Sequence, residues 1–450
     1  MHISAEIIEK AEKWLADLIR IDTSNPPGQE KEYADAISEI LKDYGITPTV
    51  IALDASRPNL FCEISAESEF PAILLSSHAD VVPVEDPASW KVPPFSGQVK
   101  GGELWGRGAL DMKYKTAFDL AVMVLFKDLN LRRPLKMIVV ADEEEGCKYG
   151  SSYLVKEHLE LIRSEYVFNE LGGFNLKIGS KEFYPVQAGE KSFCHLRLHV
   201  KGRTGHASVK SGPSSIDRLA EAINAINNNF LGFSLCTLTE AFIKKVADSH
   251  HDATKALFEA LLEPEKIERT LELIPDHEER ALLKAMLCNT VTATRIGGGF
   301  KVNVIPEAVW ADLDCRLVPG VKSGDFIKQL EYFFEKSFPE DHHLFEIEEI
   351  QFQRGYQLNA EEELVGELGT YLEKTWKGGI SVPLLLPASS DNSNYYGAGI
   401  IPVGFAPLKF PDGFAGFLLS HSNSERIPLE SFKNGLECYV GALKEIMLRD

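Results

Sequence analysis

Side chains that bind metal ions follow short apolar runs at three separate points of the chain. The residues in those positions are His78 and Asp80, the acidic run Asp142-Glu143-Glu144-Glu145, and Glu170. Imidazole nitrogens and carboxylate oxygens are common ligands of metal ions in proteins. Two further candidates are Asp111, which follows the tight turn Trp105-Gly-Arg-Gly, and His421, which follows Phe417-Leu-Leu-Ser. Together these residues indicate a metal site assembled from distant parts of the sequence.

Each candidate also has an ordinary structural interpretation. An acidic run is most often a solvated turn, a Glu before a Gly pair is typical of a surface turn, and His421 could be a hydrogen-bonded histidine at a helix start. The acidic run favours a site because neighbouring buried carboxylates repel and need a cation. The nearest cation in sequence is Lys148, and a metal could supply the remaining positive charge. Four other histidines lie in polar runs, which predicts surface positions: His250, His251, His342 and His343.

The apolar periodicity predicts the elements that carry these side chains. Helical spacing covers residues 4–20 and 30–44, and helical stretches follow at 113–129 and 151–161. Short apolar runs at 72–76, 136–140 and 166–168 are typical of buried strands. Alternating strands and helices predict an α/β fold with a mostly parallel sheet. In such sheets ligands bind beyond the carboxyl ends of the strands, and the candidate ligands lie there in the sequence.

The pattern changes near residue 193 and changes back near residue 355. Residues 194–200 and 302–317 alternate like half-exposed strands, and 215–227 has helical spacing. We therefore predict a first part of the catalytic domain at 1–190, an inserted α+β domain at 191–354, and the second part of the catalytic domain at 355–450. A helical extension is predicted within the insert at about 238–287.

Composition excludes several classes of protein. The 450 residues are 44% hydrophobic and carry a formal net charge of −20, which argues against nucleic acid and anionic membranes as partners. The seven cysteines are widely spaced and form no CxxC motif, so we expect reduced thiols and a cytoplasmic location. The N-terminus resembles no signal peptide. No apolar run approaches the roughly 20 residues that span a bilayer.

The motifs resemble the zinc-dependent family of acetylornithine deacetylase, succinyl-diaminopimelate desuccinylase, aminoacylase and glutamate carboxypeptidase. They occur in the family's order over nearly the whole chain: His78-Ala-Asp80, Gly106-Arg-Gly-Ala-Leu-Asp111-Met-Lys113, Asp142-Glu143-Glu144, Glu170, Gly205-His206-Ala-Ser, Asn303-Val-Ile-Pro306 with Arg316, and His421 with Glu425. Two departures are the loop Pro387-Ala-Ser-Ser-Asp391-Asn-Ser-Asn, which lines the substrate pocket in the family, and Cys147, which stands where a small Ser or Gly is common.

The resemblance implies a site with two Zn²⁺ ions, for which Co or Mn could substitute. Asp111 would bridge the ions, with His78 and Glu170 on one and Glu144 and His421 on the other. Three carboxylates and two neutral imidazoles leave two Zn²⁺ with a net charge near +1, before a bound hydroxide is counted. Asp80 would orient His78.

The resemblance also implies roles beyond the metal ligands. Glu143 would be the general base, and His206 would donate to the tetrahedral oxyanion. Arg316 would bind the substrate's free carboxylate, with Asn303 as a further polar contact.

The implied activity is hydrolysis of an amide or peptide bond next to an amino acid with a free α-carboxylate. Carboxypeptidases, dipeptidases and N-acyl-amino-acid deacylases share this machinery, so the substrate is a small peptide or an N-acyl amino acid. The inserted domain implies a lid and a homodimer contact. The alternatives are a catalytically inactive family member that acts as a ligand-binding or interaction protein, and a single-metal binding or storage protein.

Overall fold

The computed structural model describes residues 3–228, 232–275 and 277–448, which form two compact units. The first unit comprises Met1–Ala188, Glu361–Leu384 and Ser390–Asp450, and the second comprises Gly189–Ala360 and Leu385–Ser389. The second unit is thus an insertion in the sequence of the first. In the described residues, no helix is both long and apolar enough to cross a bilayer.

The first segment of the first unit alternates helices and strands. Its elements are α1 Ala5–Ile19, α2 Lys31–Asp43, β1 Thr49–Ile51, β2 Asn59–Ile64, β3 Ile73–His78, β4 Gln98–Lys100, β5 Glu103–Trp105, α3 Lys113–Phe126, β6 Leu135–Val140, α4 Ser151–Glu157, α5 Leu159–Ile162, β7 Tyr166–Asn169, β8 Leu176–Ile178 and β9 Lys181–Glu190. Every residue of β3 and β6 is buried, which explains why neither strand alternates between apolar and polar residues. The predicted single helix at 151–161 is interrupted at His158.

The second unit is built on an antiparallel sheet. Its elements are β10 Ser192–Lys201, β11 Gly205–His206, α6 Ser215–Asn228, α7 Thr237–Ser249, α8 Ala253–Ala260, α9 Ile267–Glu272, α10 His277–Leu287, β12 Thr290–Gly298, β13 Val304–Ile305, β14 Ala308–Leu317, α11 Ser323–Ser337, β15 Phe345–Gln353 and β16 Tyr356–Gln357. The strand order is β12-β14-β10-β15. Alternate residues of β10 and β14 are buried beneath α6 and α11 and form this unit's core.

The chain ends with α12 Glu363–Thr375, β17 Ile380–Leu386, α13 Asn392–Gly397, β18 Ile401–Gly404, β19 Arg426–Pro428 and α14 Leu429–Met447. The main sheet of the first unit has the order β1-β2-β6-β3-β7-β18-β9. The pairs β6–β3, β3–β7 and β7–β18 are parallel, whereas β1–β2, β2–β6 and β18–β9 are antiparallel. The predicted α/β fold is confirmed, and its parallel strands form the centre of the sheet.

Burial differs from the sequence prediction at one of the four histidines in polar runs. His250 follows α7 and is 1% exposed, and its Nδ1 lies 2.8 Å from the carbonyl oxygen of Val246. The surface prediction for His250 was therefore wrong, because polar neighbours in sequence do not determine whether the fold covers a side chain. The seven cysteines are buried and form no disulfide, in agreement with the prediction of reduced thiols.

Candidate metal centre

Three neighbouring strands bring the candidate ligands to one edge of the sheet. His78 is the last residue of β3, and Glu170 directly follows β7. Glu143 and Glu144 come three and four residues after the end of β6. The sheet order β6-β3-β7 and the parallel direction of these strands place their carboxyl ends side by side. Ligand atoms of His78, Glu143 and Glu170 accordingly lie within 4.8 Å of one another.

Asp111 lies between two histidines. Its Oδ1 is 3.1 Å from Nε2 of His78, and its Oδ2 is 3.0 Å from Nε2 of His421. Glu144 adds a carboxylate on the His421 side, where its Oε1 is 3.5 Å from Nε2. The two oxygens of one carboxylate thus face different imidazoles, an arrangement suited to bridging two cations.

A buried ion pair holds the loop that carries Asp111. Oε2 of Glu425 accepts a hydrogen bond of 2.6 Å from Nη1 of Arg107. Oε1 of Glu425 accepts from the backbone N–H groups of Leu110, at 2.9 Å, and Asp111, at 3.2 Å. Nη2 of Arg107 donates to the carbonyl oxygen of His421 at 3.1 Å. The pair therefore fixes the backbone at both Asp111 and His421, a function that the sequence analysis did not assign to it.

Asp80 contacts His78 through its backbone. Nδ1 of His78 lies 2.9 Å from the carbonyl oxygen of Asp80 and 3.7 Å from its Oδ1. The carboxylate of Asp80 instead accepts from the backbone N–H groups of Glu143, at 3.0 Å, and Glu144, at 3.1 Å. The side chain of Asp80 therefore orients the acidic loop, whereas the expected role was orientation of the imidazole.

The electrostatics of this cluster are dominated by crowded carboxylates. Burial and the charge of Glu170 raise the pKa of Glu143 well above its usual range. Burial and the charge of Asp111 do the same to the pKa of Glu170. The hydrogen bond to Asp111 and the nearby carboxylate of Glu144 raise the pKa of His421 to about 10. Such a cluster favours bound positive charge, because each carboxylate makes its neighbours harder to ionise.

The donor set fits divalent metal ions. It combines imidazole nitrogens with carboxylate oxygens, the ligands typical of zinc. Oε1 of Glu144 is buried and accepts no hydrogen bond from the described residues. An uncompensated buried oxygen is costly, and coordination to a cation would satisfy it. Glu143 also lies within ligand distance of His78 and Glu170, so geometry alone permits it to act either as a ligand or as a base.

The remaining predicted site residues lie in the second unit. His206 is exposed on β11, and its Nδ1 is 2.7 Å from Oγ of Ser208. Asn303 is close by, because its carbonyl oxygen accepts from the N–H of Ala207 at 3.1 Å. Oδ1 of Asn303 is buried and accepts no hydrogen bond from the described residues. His206 belongs to the ladder that β11 forms with β13, and Asn303 directly precedes β13.

Arg316 lies on β14, where its guanidinium is already paired. Nε and Nη2 donate to the two carboxylate oxygens of Asp314 at 2.7 and 2.9 Å. Nη1 donates to Oγ of Ser389 at 2.8 Å. Asp314 therefore fixes the orientation of the Arg316 guanidinium.

Comparison with known families decides the class of this chain. The sequence model of the family described as peptidase family M20/M25/M40 matches residues 74–445. The chain belongs to the M20 peptidase family. It is therefore a hydrolase that acts on C–N bonds, and the predicted resemblance is confirmed. The match spans the sheet-edge residues of the first unit and the whole second unit.

Individual relatives of this M20 chain differ in their described activities. It is 26% identical over 326 residues to a probable succinyl-diaminopimelate desuccinylase of Staphylococcus epidermidis, with 72% of this chain and 71% of that protein covered. It is 24% identical over 412 residues to aminoacylase-1 of Mus musculus, with 89% and 84% covered. The crystal structure of an M20 family metallo-carboxypeptidase from Sulfolobus solfataricus has a TM-score of 0.70 at 19% identity, covering 98% of this chain and 99% of that one. This last likeness shows a shared fold.

Proposed function

We propose that this M20 hydrolase binds two zinc ions and cleaves an amide or peptide bond next to an amino acid with a free α-carboxylate. The observation that carries the proposal is the position of Asp111, whose two oxygens face His78 and His421 at 3.1 and 3.0 Å. Glu170 would complete the ligands of the ion on His78, and Glu144 those of the ion on His421. Two bound ions would supply activation of a water molecule and polarisation of the scissile carbonyl.

The chain's own residues would move the proton and stabilise the developing charge. Glu143 takes a proton from the attacking water as its oxygen bonds to the carbonyl carbon. The C–N bond then breaks, and Glu143 passes the proton to the leaving amine nitrogen. The products are a carboxylic acid and a free amine. His206 would donate to the oxyanion in the tetrahedral intermediate.

Substrate binding would use the second unit. Arg316 offers a planar guanidinium that suits a carboxylate, and Asp314 and Ser389 fix its orientation. Asn303 would supply one more polar contact. The relatives include both a desuccinylase and an aminoacylase, so N-acyl amino acids stand beside dipeptides as substrate candidates. A homodimer formed through the second unit and a cytoplasmic location remain predictions.

The test is a hydrolysis screen combined with metal analysis. Dipeptides, N-acetyl amino acids and N-succinyl amino acids are incubated with chelator-treated protein to which zinc, manganese or cobalt has been restored. Metal analysis should give about two ions per chain. Protein that hydrolyses a substrate while holding almost no metal would contradict the proposed centre.

The role of Glu143 is tested against its neighbour Glu145. Glu143→Gln should keep both ions and lower kcat by roughly 10²- to 10⁴-fold, the range for loss of a general base. Glu145→Gln should have little effect, because Glu145 is exposed. If Glu143→Gln loses one ion, Glu143 is a ligand; if it stays active, another residue is the base.

A further inference from the structure

A short segment near the N-terminus is fixed beside the residues that follow β3. Oγ1 of Thr23 donates to the carbonyl oxygen of Ala79 at 2.7 Å. The N–H of Val81 donates to the carbonyl oxygen of Thr23 at 3.1 Å, and the N–H of Asn25 donates to that of Val81 at 2.9 Å. Residues 23–25 therefore run alongside 79–81 like an additional short strand.

The side chain of Asn25 lies between two buried carboxylates. Its Nδ2 is 2.9 Å from Oδ2 of Asp80 and 2.9 Å from Oδ1 of Asp142. The three side chains are buried, with relative exposures of 2%, 0% and 2%. A primary amide has two N–H hydrogens, so this geometry uses both. The carboxylate of Asp80 also accepts hydrogen bonds from the backbone N–H groups of Glu143 and Glu144.

Arg57 holds Asp142, the second carboxylate that Asn25 contacts. Its Nη1 is 2.9 Å from Oδ1 of Asp142, and its Nε and Nη2 donate to the carboxylate of Glu30 at 3.0 and 2.6 Å. Oδ2 of Asp142 accepts from the N–H of Tyr149 at 3.2 Å. Asp142 has a φ of 67°, so the acidic loop begins with an unusual turn that these contacts hold.

We propose that Asn25 is a positioning residue that orients Glu143 and Glu144 through Asp80. Its amide separates two carboxylates that would otherwise repel each other in a buried setting. It thereby keeps Asp80 in the orientation that accepts both loop N–H groups. This inference rests on the proposed function, because Glu143 and Glu144 are the residues assigned there as base and metal ligand.

Two substitutions distinguish the positioning role of Asn25 from a role in packing alone. Asn25→Asp has nearly the same shape but puts an oxygen where the amide donor was, so three buried carboxylates would meet. Asn25→Ala removes the donor without adding an acceptor. We expect kcat to fall roughly 100-fold in Asn25→Asp and roughly 10-fold in Asn25→Ala, the range for residues that orient metal ligands. KM should stay within about threefold of the original, because the substrate contacts are assigned to the second unit.

Asn175 provides the matched control. It lies in the same unit, and its Nδ2 donates to Oε1 of Glu182 at 3.1 Å and to the carbonyl oxygen of Phe410 at 3.0 Å. Asn175→Asp therefore also places a new carboxylate opposite an existing one. It should leave kcat, KM and the metal centre unchanged. Circular dichroism of each variant verifies that it is folded.

The second readout is the visible absorption spectrum of cobalt-substituted protein, which reports ligand geometry without any substrate. We expect a changed spectrum, or weaker binding of one cobalt ion, in Asn25→Asp and an unchanged spectrum in Asn175→Asp. If Asn25→Asp does not fold, a double-mutant cycle of Asn25→Ala with Asp80→Ala replaces it. If Asn25 acts through Asp80, kcat of the double variant should be no lower than kcat of Asp80→Ala alone.

The outcomes distinguish this inference from the proposed function. An Asn25→Asp variant with the original kcat and cobalt spectrum, or one at least as active as Asn25→Ala, would overturn the positioning role. Additive effects in the double-mutant cycle would overturn it as well. If the unsubstituted protein cleaves none of the substrates, the proposed function falls, and the cobalt spectra still decide the role of Asn25. Failure to bind cobalt at all would overturn both.

Discussion

The ion pair between Arg107 and Glu425 predicts a large effect from a one-atom change. Glu425 is 0% exposed and Arg107 is 3% exposed. Glu425→Gln keeps the shape of the side chain and leaves one oxygen for the N–H groups of Leu110 and Asp111. The new NH₂ group then faces Nη1 of Arg107, which donates to Glu425 at 2.6 Å. Two donors would meet, and the guanidinium would lose its buried counter-charge.

Removal of one partner from a buried ion pair typically costs about 3–5 kcal/mol, because the remaining charge is uncompensated. Glu425→Gln keeps an oxygen for the two backbone hydrogen bonds. We therefore expect it to lower the free energy of unfolding by about 3 kcal/mol, at the lower end of this range. Arg107→Met combined with Glu425→Gln should recover at least about 1 kcal/mol, because no charge is left unpaired. Glu165→Gln is the control. Its pair with Arg133 has the same 2.6 Å distance but a side-chain exposure of 36%, so the loss should stay below about 1 kcal/mol.

Urea unfolding of chelator-treated protein measures these differences. Four of the five tryptophans, Trp14, Trp90, Trp105 and Trp376, belong to the first unit, so their fluorescence reports mainly on that unit. Metal analysis of the same variants should show that Glu425→Gln also binds its ions less tightly, since the backbone at Asp111 and His421 is released. Equal stability losses in Glu425→Gln and Glu165→Gln would refute the reasoning, because burial would then make no difference.

The remaining predictions concern pH and packing. The pKa of His421 is raised to about 10, and the pKa of His78 is also raised. Because metal binding needs neutral imidazoles, zinc affinity should rise from about pH 6.5 toward pH 10. Chelator competition measures this affinity, and a flat pH profile would contradict the prediction. Because these folded-state values exceed the usual histidine pKa, the chelator-treated protein should lose stability in urea across the same window. Lys115→Met should lower the unfolding free energy of the first unit by about 3–5 kcal/mol, since Lys115 and Asp119 form a fully buried pair. An unchanged midpoint of urea unfolding would contradict this prediction. Leu313→Ala lies in the core of the second unit, and it should lower the unfolding free energy of that unit by about 2–5 kcal/mol. Trp310 fluorescence follows the change, and the metal content should equal that of the unsubstituted protein.

The ends of buried parallel strands could be recognised from the sequence. Runs such as Ile73–His78 and Leu135–Val140 show no alternation of apolar and polar residues, because both faces of the sheet are covered. The parallel direction then puts His78 and Glu170 at one edge. Asp111 and His421 lack this signal. Asp111 precedes α3, and His421 lies in a turn with a φ of 63°, so the residues before them mark them only as candidates, and their roles as ligands come from the motif resemblance.

Other features depend on contacts that a local pattern does not contain. Residues 59–64 were not recognised as a strand, although β2 lies between β1 and β6 and is antiparallel to both. His250 was placed on the surface because its sequence neighbours are polar, yet the fold buries it. In both cases the partner that decides the structure is chosen by tertiary packing, and a short window of sequence reports only propensity.

Asp80 shows most clearly why spacing alone cannot assign a role. The motif resemblance implies that Asp80 orients His78, and in a continuing strand residues i and i+2 would point to the same face. The strand ends at His78, however, and the chain beyond it no longer keeps that alternation. The carboxylate turns to the N–H groups of Glu143 and Glu144, which are 63 and 64 residues away, and to Asn25, 55 residues in the other direction. A substitution at Asp80 should therefore act first on the acidic loop, and His78 should keep its backbone contact to the carbonyl oxygen of residue 80.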